Sequence, residues 1–380
     1  MNPEISIIMP VYNSEAYLKP CLDSIFAQSF TDYQLICVND GSTDNSLAVL
    51  ESYKKDHDNM EIYSQNNLYA GVARNLGMRK ALGNYLLFLD ADDTFSPDFF
   101  KEMYEKITET QADICVCGVN QLDAATGELS YNPRYLKKKY LPKNSVFCKD
   151  DIPDYIFHFT SVTPWNKMFS ASFIKEQKLE FQPLRRTNDL YFVTMAFACA
   201  GKITTIDKPL VNYRVGHGSN LQANNSDTPL LFAEALKALK ASLQERGLFR
   251  QLEIGFVNTA LHHCIYNLSS QKSPSAYSTV YTALKESLFE EFLISTHKEE
   301  DFYVKSLYGE YENIMKYPCH EYLFYKMKQQ KEKISTQKQT IDKLKTENTA
   351  LKKQAKDAEI QKKKTAADSK KPFSFFRPTK

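Results

Sequence analysis

Within the first hundred residues, short apolar runs alternate with helix-period stretches, and that alternation restricts the architecture more than any other feature. Ile5-Ser-Ile-Ile-Met-Pro-Val11, Gln34-Leu-Ile-Cys-Val38, Glu61 to Ser64 and Tyr85-Leu-Leu-Phe-Leu89 read as strands. Between them, Glu15 to Gln28 sets Ala16, Leu18, Leu22, Ile25 and Phe26 on one helical face, Ser42, Thr43 and Asp44 open a second helix, and Ala70 to Ala81 forms a third. Strands alternating with helices imply an α/β fold with a mainly parallel sheet sandwiched by helices. In such sheets ligands bind beyond the carboxyl ends of the strands, so the segments after Val11, Val38 and Leu89 become the candidate site.

Those segments are Pro10-Val-Tyr-Asn13, Asn39-Asp-Gly-Ser-Thr-Asp44 and Asp90-Ala-Asp-Asp93. Their residue types suit a nucleotide diphosphate sugar. A base needs a flat apolar contact and an acceptor for its imide proton, which Tyr12 and Asp40 can supply. A pyrophosphate needs a divalent cation or fixed basic groups. Asp90 and Asp92, two apart at a strand end, suit Mg²⁺ or Mn²⁺, and Arg74 is available for phosphate. Singly each signal is weak, since Asp-x-Asp and Asp-Gly-Ser are common in solvated turns.

In order and spacing, these residues resemble the family 2 glycosyltransferases of the GT-A fold. The resemblance runs through Ile7 to Asn13, Glu15 with Tyr17-Leu18, Cys21-Leu-Asp-Ser-Ile25, Gln28, Val38 to Asp44, Gly71-Val-Ala-Arg-Asn75 with Gly77, and Phe88 to Asp93. It implies that Tyr12 and Asp40 contact a uracil, that Glu15 and Asp90 lie near the ribose, and that Asp92 binds the metal. Pro10 and Ala91 fall among the nucleotide-sugar contacts. Pro164-Trp-Asn-Lys167 resembles the Trp-x-Lys segment that precedes the family's acceptor side. Asn188-Asp-Leu-Tyr-Phe192 resembles its Glu-Asp pair at a helix start, with Asn188 in place of Glu, which makes Asp189 the general base. The plainer alternative is a first-turn acid favoured by the helix dipole. Tyr213-Arg-Val-Gly-His-Gly-Ser219 resembles the closing segment; His217 is assigned to the metal shell or the diphosphate, between glycines that permit loop movement. His262 and His263, adjacent on a helix, point about 100° apart and do not suit one metal.

The implied activity is inverting, metal-dependent transfer of one sugar from a UDP-sugar to a hydroxyl of a glycan or lipid-linked acceptor, in bacterial cell-surface polysaccharide synthesis. Processive members carry Gln-x-x-Arg-Trp and membrane helices, whereas the single Trp here is Trp165. Two other classes compete. One is a nucleotide-binding assembly module without transferase activity, which loss of Asp-x-Asp or Asp189 would have favoured. The other is a nucleotidyltransferase, which would need a Gly-rich turn that Pro10 to Glu15 lacks.

The remainder divides by pattern into a GT-A domain over 1–220, a helical accessory domain over 221–326, a coiled coil over 327–364 and a basic tail over 365–380. Thr228 to Arg246, Leu252 to Leu268 and Ser275 to Phe292 are helix-periodic. Ile334, Ile341, Asn348 and Ala355 fall at one heptad position, and Leu344, Leu351 and Ala358 at its partner, predicting a parallel homodimer. From Lys326 onward 17 basic groups face 6 acidic ones, while the preceding residues carry 31 basic and 40 acidic groups. Attraction to anionic surfaces is thereby placed in the tail, whose Phe residues add membrane affinity, and no nucleic-acid partner is expected. Eight scattered cysteines read as buried thiols. With no secretion signal in Met1 to Pro10 and no bilayer-length apolar run, the expected location is cytoplasmic, at the inner face of the membrane.

Overall fold

β1 (Ile5–Val11) and β2 (Tyr33–Asn39) are buried along their whole length, as strands covered on both faces must be. The computed structural model describes residues 2–216 and 226–368. His217 and residues 369–380, with the tail's Phe residues, lie outside the described residues.

The first half of the fold continues through α1 (Glu15–Phe26), α2 (Ser46–Lys54), β3 (Met60–Ser64), α3 (Tyr69–Lys80) and β4 (Tyr85–Phe88). β3, β2, β1 and β4 lie side by side and parallel. The rest of the sheet adds β5 (Thr94–Phe95), β6 (Ile114–Asp123), β7 (Leu129–Tyr131), β8 (Val146–Phe147), β9 (Lys167–Ser170) and β10 (Ile203–Val215), with α4 (Phe99–Thr110), α5 (Ala171–Glu176) and α6 (Asn188–Cys199) between strands. The order is β3-β2-β1-β4-β9-β6-β10-β5, with β7 on β6 and β8 on β10. β9 runs antiparallel to both β4 and β6, so the sheet is mixed but mainly parallel. β1 lies between β2 and β4, parallel to both, so the carboxyl ends of β1, β2 and β4 share one edge. Pro10 lies beyond the last β1–β4 partners, Ile8 and Phe88, where its missing N–H breaks no ladder on that side.

Two close approaches set the geometry beneath that edge. Gly77 of α3 faces β1 so closely that a Cβ there would come within 2.4 Å of Ile8 Cγ2. Gly71, at the start of α3, would meet the Gln182 carbonyl at 2.4 Å and Asn188 Cβ at 2.9 Å, so only glycine lets α6 begin this close to α3. An aromatic cluster then fixes α6: Phe192 packs edge-on to Phe88 of β4 at 5.4 Å and stacks on Phe181 at 3.9 Å.

Beyond the sheet come α7 (Leu231–Glu245), α8 (Phe249–Ser269), α9 (Pro274–Ala283), α10 (Phe289–Glu291), α11 (Lys305–Lys316) and α12 (Cys319–Asp368). Pro274 opens α9 with Ser273 as its cap, the Ser hydroxyl accepting from the Ala276 amide at 3.2 Å. The chain forms two compact units, Met1–Met315 and Lys316–Lys380, so the change from sheet to helices near residue 220 occurs inside the first. Five of the eight cysteines are buried and all are free thiols. Among the described residues, no helix is long and apolar enough to cross a membrane.

Candidate active site

The loop after β1 and the turn after β2 are stitched together by side chains. Asn13, at φ +48, accepts from the Thr43 amide at 2.8 Å; Ser46 Oγ accepts from the Ser14 amide at 2.8 Å; Asp44 accepts from the Glu15 amide at 3.1 Å. Glu15 in turn accepts from the Asn45 amide and its side-chain nitrogen at 3.1 and 2.8 Å. These bonds hold Tyr12 on the rim, where its ring is 43% exposed. Asp40 sits below, 2% exposed, its Oδ1 accepting from Gln65 Nε2 at 2.7 Å and the Leu68 amide at 2.9 Å. Pro10 is buried in β1 between them.

At the end of β4 the chain turns through Asp90, Ala91, Asp92 and Asp93. Ala91 is buried, and the carboxylates of Asp90, Asp92 and Asp93 each offer an oxygen within 4.8 Å of the others. Asp93 is fully buried; its Oδ1 accepts from the Arg214 amide at 2.9 Å, while Oδ2 has no hydrogen-bond partner among the described residues. Burial first, then Asp92 and Asp90, push its pKa well above the ordinary carboxylate range. Clustered acids with an orphaned buried oxygen fit a hard divalent cation, which would relieve both the repulsion and the unpaired atom.

Arg74 connects this turn to α6. Its two terminal nitrogens donate to Asp90 Oδ1 at 2.7 Å and Asn188 Oδ1 at 3.0 Å, and its guanidinium lies 5.2 Å from the Phe181 ring. The side chain expected to reach a phosphate is thus 6% exposed and bridges β4 to α6. Asn188 has a clear use here: a neutral acceptor completes the Arg74 bracket without a second buried negative charge beside Asp90.

Asp189 follows in the first turn of α6, partly buried. Desolvation raises its pKa above the ordinary carboxylate value and Asp90 adds to that; Arg74 and the amides of Asp189 and Leu190 act the other way. Lys167, by contrast fully buried, donates to the Thr163 carbonyl at 2.6 Å and Asn166 Oδ1 at 2.7 Å. Burial pulls its pKa down to about 7, against which Cys117 and Asp189 act weakly.

Sequence reasoning assigned no role to Asp93, Arg214 or the aromatic wall. Arg214 donates from Nε to the Asp92 carbonyl at 2.8 Å and lies 5.2 Å from the Tyr17 ring, so it clamps the acidic turn from β10. Next to it, Tyr213 stacks on Trp165 at 5.1 Å, and Tyr135 closes the cluster 4.9 Å from Trp165. The available signal was that Arg214 and Tyr213 stand in the closing segment beside His217.

Residues 6–163 match the family described as "Glycosyl transferase family 2". That match covers the N-terminal part of the chain, and it is there that the chain resembles glycosyl transferase family 2. Among similar proteins, glycosyltransferase GlyA of Streptococcus pneumoniae is 30% identical over 222 residues, covering 58% of this chain and 32% of GlyA. The poly(ribitol-phosphate) beta-glucosyltransferase of Bacillus spizizenii is 34% identical over 207 residues, covering 53% of this chain and 30% of that enzyme. The match therefore spans less than a third of either relative's length. Residues 1–349 of S. aureus TarS, solved in complex with UDP-GlcNAc, share the fold with a TM-score of 0.62 and 20% identity, over 82% of this chain and 90% of that one. The GT-A architecture expected from the motifs is thus the architecture observed.

Proposed function

We propose that this chain is an inverting, metal-dependent glycosyltransferase that moves one sugar at a time from a UDP-sugar to a hydroxyl of a glycan or lipid-linked acceptor in cell-surface polysaccharide synthesis. The observation that carries the reading is convergence. Tyr12 and Asp40, the Asp90–Asp93 turn, and Asp189 come from the ends of β1, β2 and β4 and the start of α6, and the Arg74 bracket joins the last two. A structural neighbour of the same fold was solved with UDP-GlcNAc, and a relative is named for glucosyl transfer to poly(ribitol phosphate).

In this reading Tyr12 stacks on the base. Asp40 accepts from the imide through Oδ2, since both bonds that hold it go to Oδ1. Pro10 and Ala91 line the nucleotide, and Glu15 and Asp90 border the ribose. Asp92, with Asp93 and Asp90 close by, holds Mn²⁺ or Mg²⁺; His217 is assigned to the same shell or to the diphosphate. When bound, the cation supplies charge stabilisation to the departing diphosphate. Arg74 serves by fixing Asp90 and the start of α6. Asp189 accepts the acceptor hydroxyl's proton as that oxygen attacks the anomeric carbon from the face opposite the leaving group, which inverts it. A raised pKa makes Asp189 a stronger base than an ordinary carboxylate.

Turnover tests this directly. UDP release from a panel of UDP-sugars, with Mn²⁺ and poly(ribitol phosphate) or a lipid-linked glycan as acceptor, is expected to be acceptor-dependent and strongest with one sugar. Acceptor-independent release, or none from any sugar, contradicts it.

The last helix supports an assembly role beside catalysis. α12 has 50 residues, about 75 Å of helix, and Met327, Ile334, Ile341, Leu344 and Leu351 are all exposed on it. Positions 327, 334 and 341, and 344 and 351, recur every seven residues, and a second copy would cover them. The basic tail then brings the dimer to the inner membrane face. In sedimentation equilibrium the full chain should have twice the protomer mass, and a chain ending at residue 318 the monomer mass. Removing 366–380 alone should abolish co-sedimentation with anionic vesicles. A monomeric full chain, or unchanged vesicle binding, removes the corresponding proposal.

A further inference from the structure

We propose that Arg134, Lys137, Lys139, Tyr140, Tyr155 and His158 form an acceptor subsite for a phosphate-bearing glycan, the cations meeting phosphate and the tyrosines stacking on sugar or polyol carbons. The proposal rests on the transferase reading above and names the acceptor chemistry of that site.

The surface begins at the acidic turn. Tyr135 and Leu136 are buried, and the Tyr135 ring lies 4.9 Å from Trp165 and 5.9 Å from Tyr213, whose neighbour Arg214 holds Asp93. Arg134 immediately precedes this anchor and Lys137 follows it. The Tyr135 carbonyl accepts from Thr160 Oγ1 at 2.6 Å and Asn166 Nδ2 at 3.4 Å, tying the segment to the loop that Lys167 braces near Asp189. The segment that carries the cations is therefore anchored to the loop whose Lys167 feels the charge of Asp189.

Three cations on this surface have no ion pair among the described residues, although Lys139 lines a cavity with Asp151 and Asp154. Among the described residues no carboxylate pairs with Arg134, Lys137 or Lys139, although the intervening Lys138 pairs with Asp207 at 2.5 Å. The Lys137 ammonium donates to the His158 carbonyl at 2.9 Å, and the Lys139 ammonium lies 4.6 Å from the Tyr140 ring centre. Burial first, then repulsion from Arg134 and Lys139, lowers the Lys137 pKa to about 8. Burial, then Lys137, His262 and Lys139, lowers the His158 pKa to about 3, and burial, then Arg134 and Lys137, lowers that of His262 to about 4, so both imidazoles are neutral and the positive charge belongs to the three cations. A bound phosphate would relieve that repulsion.

The outer part is aromatic. Tyr140 stacks on Tyr155 at 4.7 Å, and His158 lies 4.9 Å from Tyr140 and 4.8 Å from Tyr303. A cavity of about 330 Å³ opens against Tyr140 and Tyr155, with Asp151 and Asp154 on its wall. Asp151 is occupied by the Cys148 amide at 2.9 Å. Carboxylates there favour sugar hydroxyls in the cavity and place the phosphate toward Lys137 and Arg134. Alternating charged and apolar contacts match an acceptor whose phosphates alternate with carbon skeletons.

Calorimetric titration of the full chain tests the subsite with three probes: poly(ribitol phosphate) oligomers, a dextran oligomer of similar length, and farnesyl diphosphate. The phosphate oligomer should bind and dextran should not. The Arg134→Ala/Lys137→Ala variant should weaken binding roughly tenfold or more, the scale of a lost hydrogen bond to a charged group. Displacement by farnesyl diphosphate would assign the phosphate to a lipid carrier; oligomer binding without displacement would assign it to the glycan chain. Equal binding of dextran, or unchanged oligomer affinity in the variant, overturns the subsite. The thermal response to UDP reports folding of the variant, and Arg134→Glu, at an exposed position, serves if the double variant does not fold. A wild type that binds oligomer but not UDP would refute the transferase reading and leave the subsite standing.

Discussion

Asp189→Asn is expected to lower kcat by about 10²–10⁴, the range typical of a lost general base, while UDP binding persists. The substitution keeps the shape of the side chain and its reach from the first turn of α6, and removes its charge and its capacity to take a proton. With wild type, kcat should fall as pH drops through the raised Asp189 pKa, because the protonated acid cannot act as base. Stability separates this role from that of a helix-start acid. An acid whose folded pKa lies above its unfolded value binds protons more tightly when folded, so its ionised form costs stability at neutral pH, and the cost fades as pH falls through the folded pKa. Asp189→Asn should therefore raise Tm at pH 7 while activity collapses. If Asp189 only favoured the helix dipole, Asn would leave kcat near wild type and lower Tm slightly. Steady-state kinetics and a thermal melt on one variant decide between the two.

The second large effect is expected at Asp92. Asp92→Asn removes one of the three carboxylates of the acidic turn, and Asp90, whose Oδ1 is bound to Arg74 at 2.7 Å, has only its other oxygen to offer in its place. Changes to groups that merely orient metal ligands typically cost 10–100-fold in metal affinity or activity, and loss of a ligand should exceed that. Chelation should mimic the substitution in the wild type and add nothing further in the variant. Activity that survives both would place charge stabilisation of the diphosphate elsewhere.

Much of the first half of the fold was legible because its signals are local. Four apolar runs and three helix-period stretches before residue 90 correspond to β1–β4 and α1–α3 with ends shifted by a few residues, and the heptad beyond 327 falls within one continuous helix. What could not be read depends on contacts distant in sequence. The pairing of β9 antiparallel between β4 and β6 inserts a reversed strand between the parallel set β3-β2-β1-β4 and the parallel pair β6-β10, and residues 167–170 carry no sign of that direction. Asp189 comes near Asp90 through Phe88 packing on Phe192 and through Gly71 admitting Asn188, neither of which periodicity reveals. Arg74 illustrates the limit most clearly. Its type and position suggested phosphate, yet an arginine beside Asp90 and Asn188 binds them first, since a buried guanidinium needs its partners within the protein.

The central claim is a donor site for a UDP-sugar built around the Asp90–Asp93 turn, and thermal stability against nucleotides tests it most directly. A ligand at 100 times its Kd stabilises by about 2.7 kcal/mol, which moves a chain of this size by several degrees. UDP should give a shift that exceeds those with GDP and dTDP, requires Mn²⁺ or Mg²⁺, and vanishes in Asp92→Asn. No shift with any nucleotide, in protein that melts cooperatively, would contradict it and leave a chain that uses this fold for assembly alone.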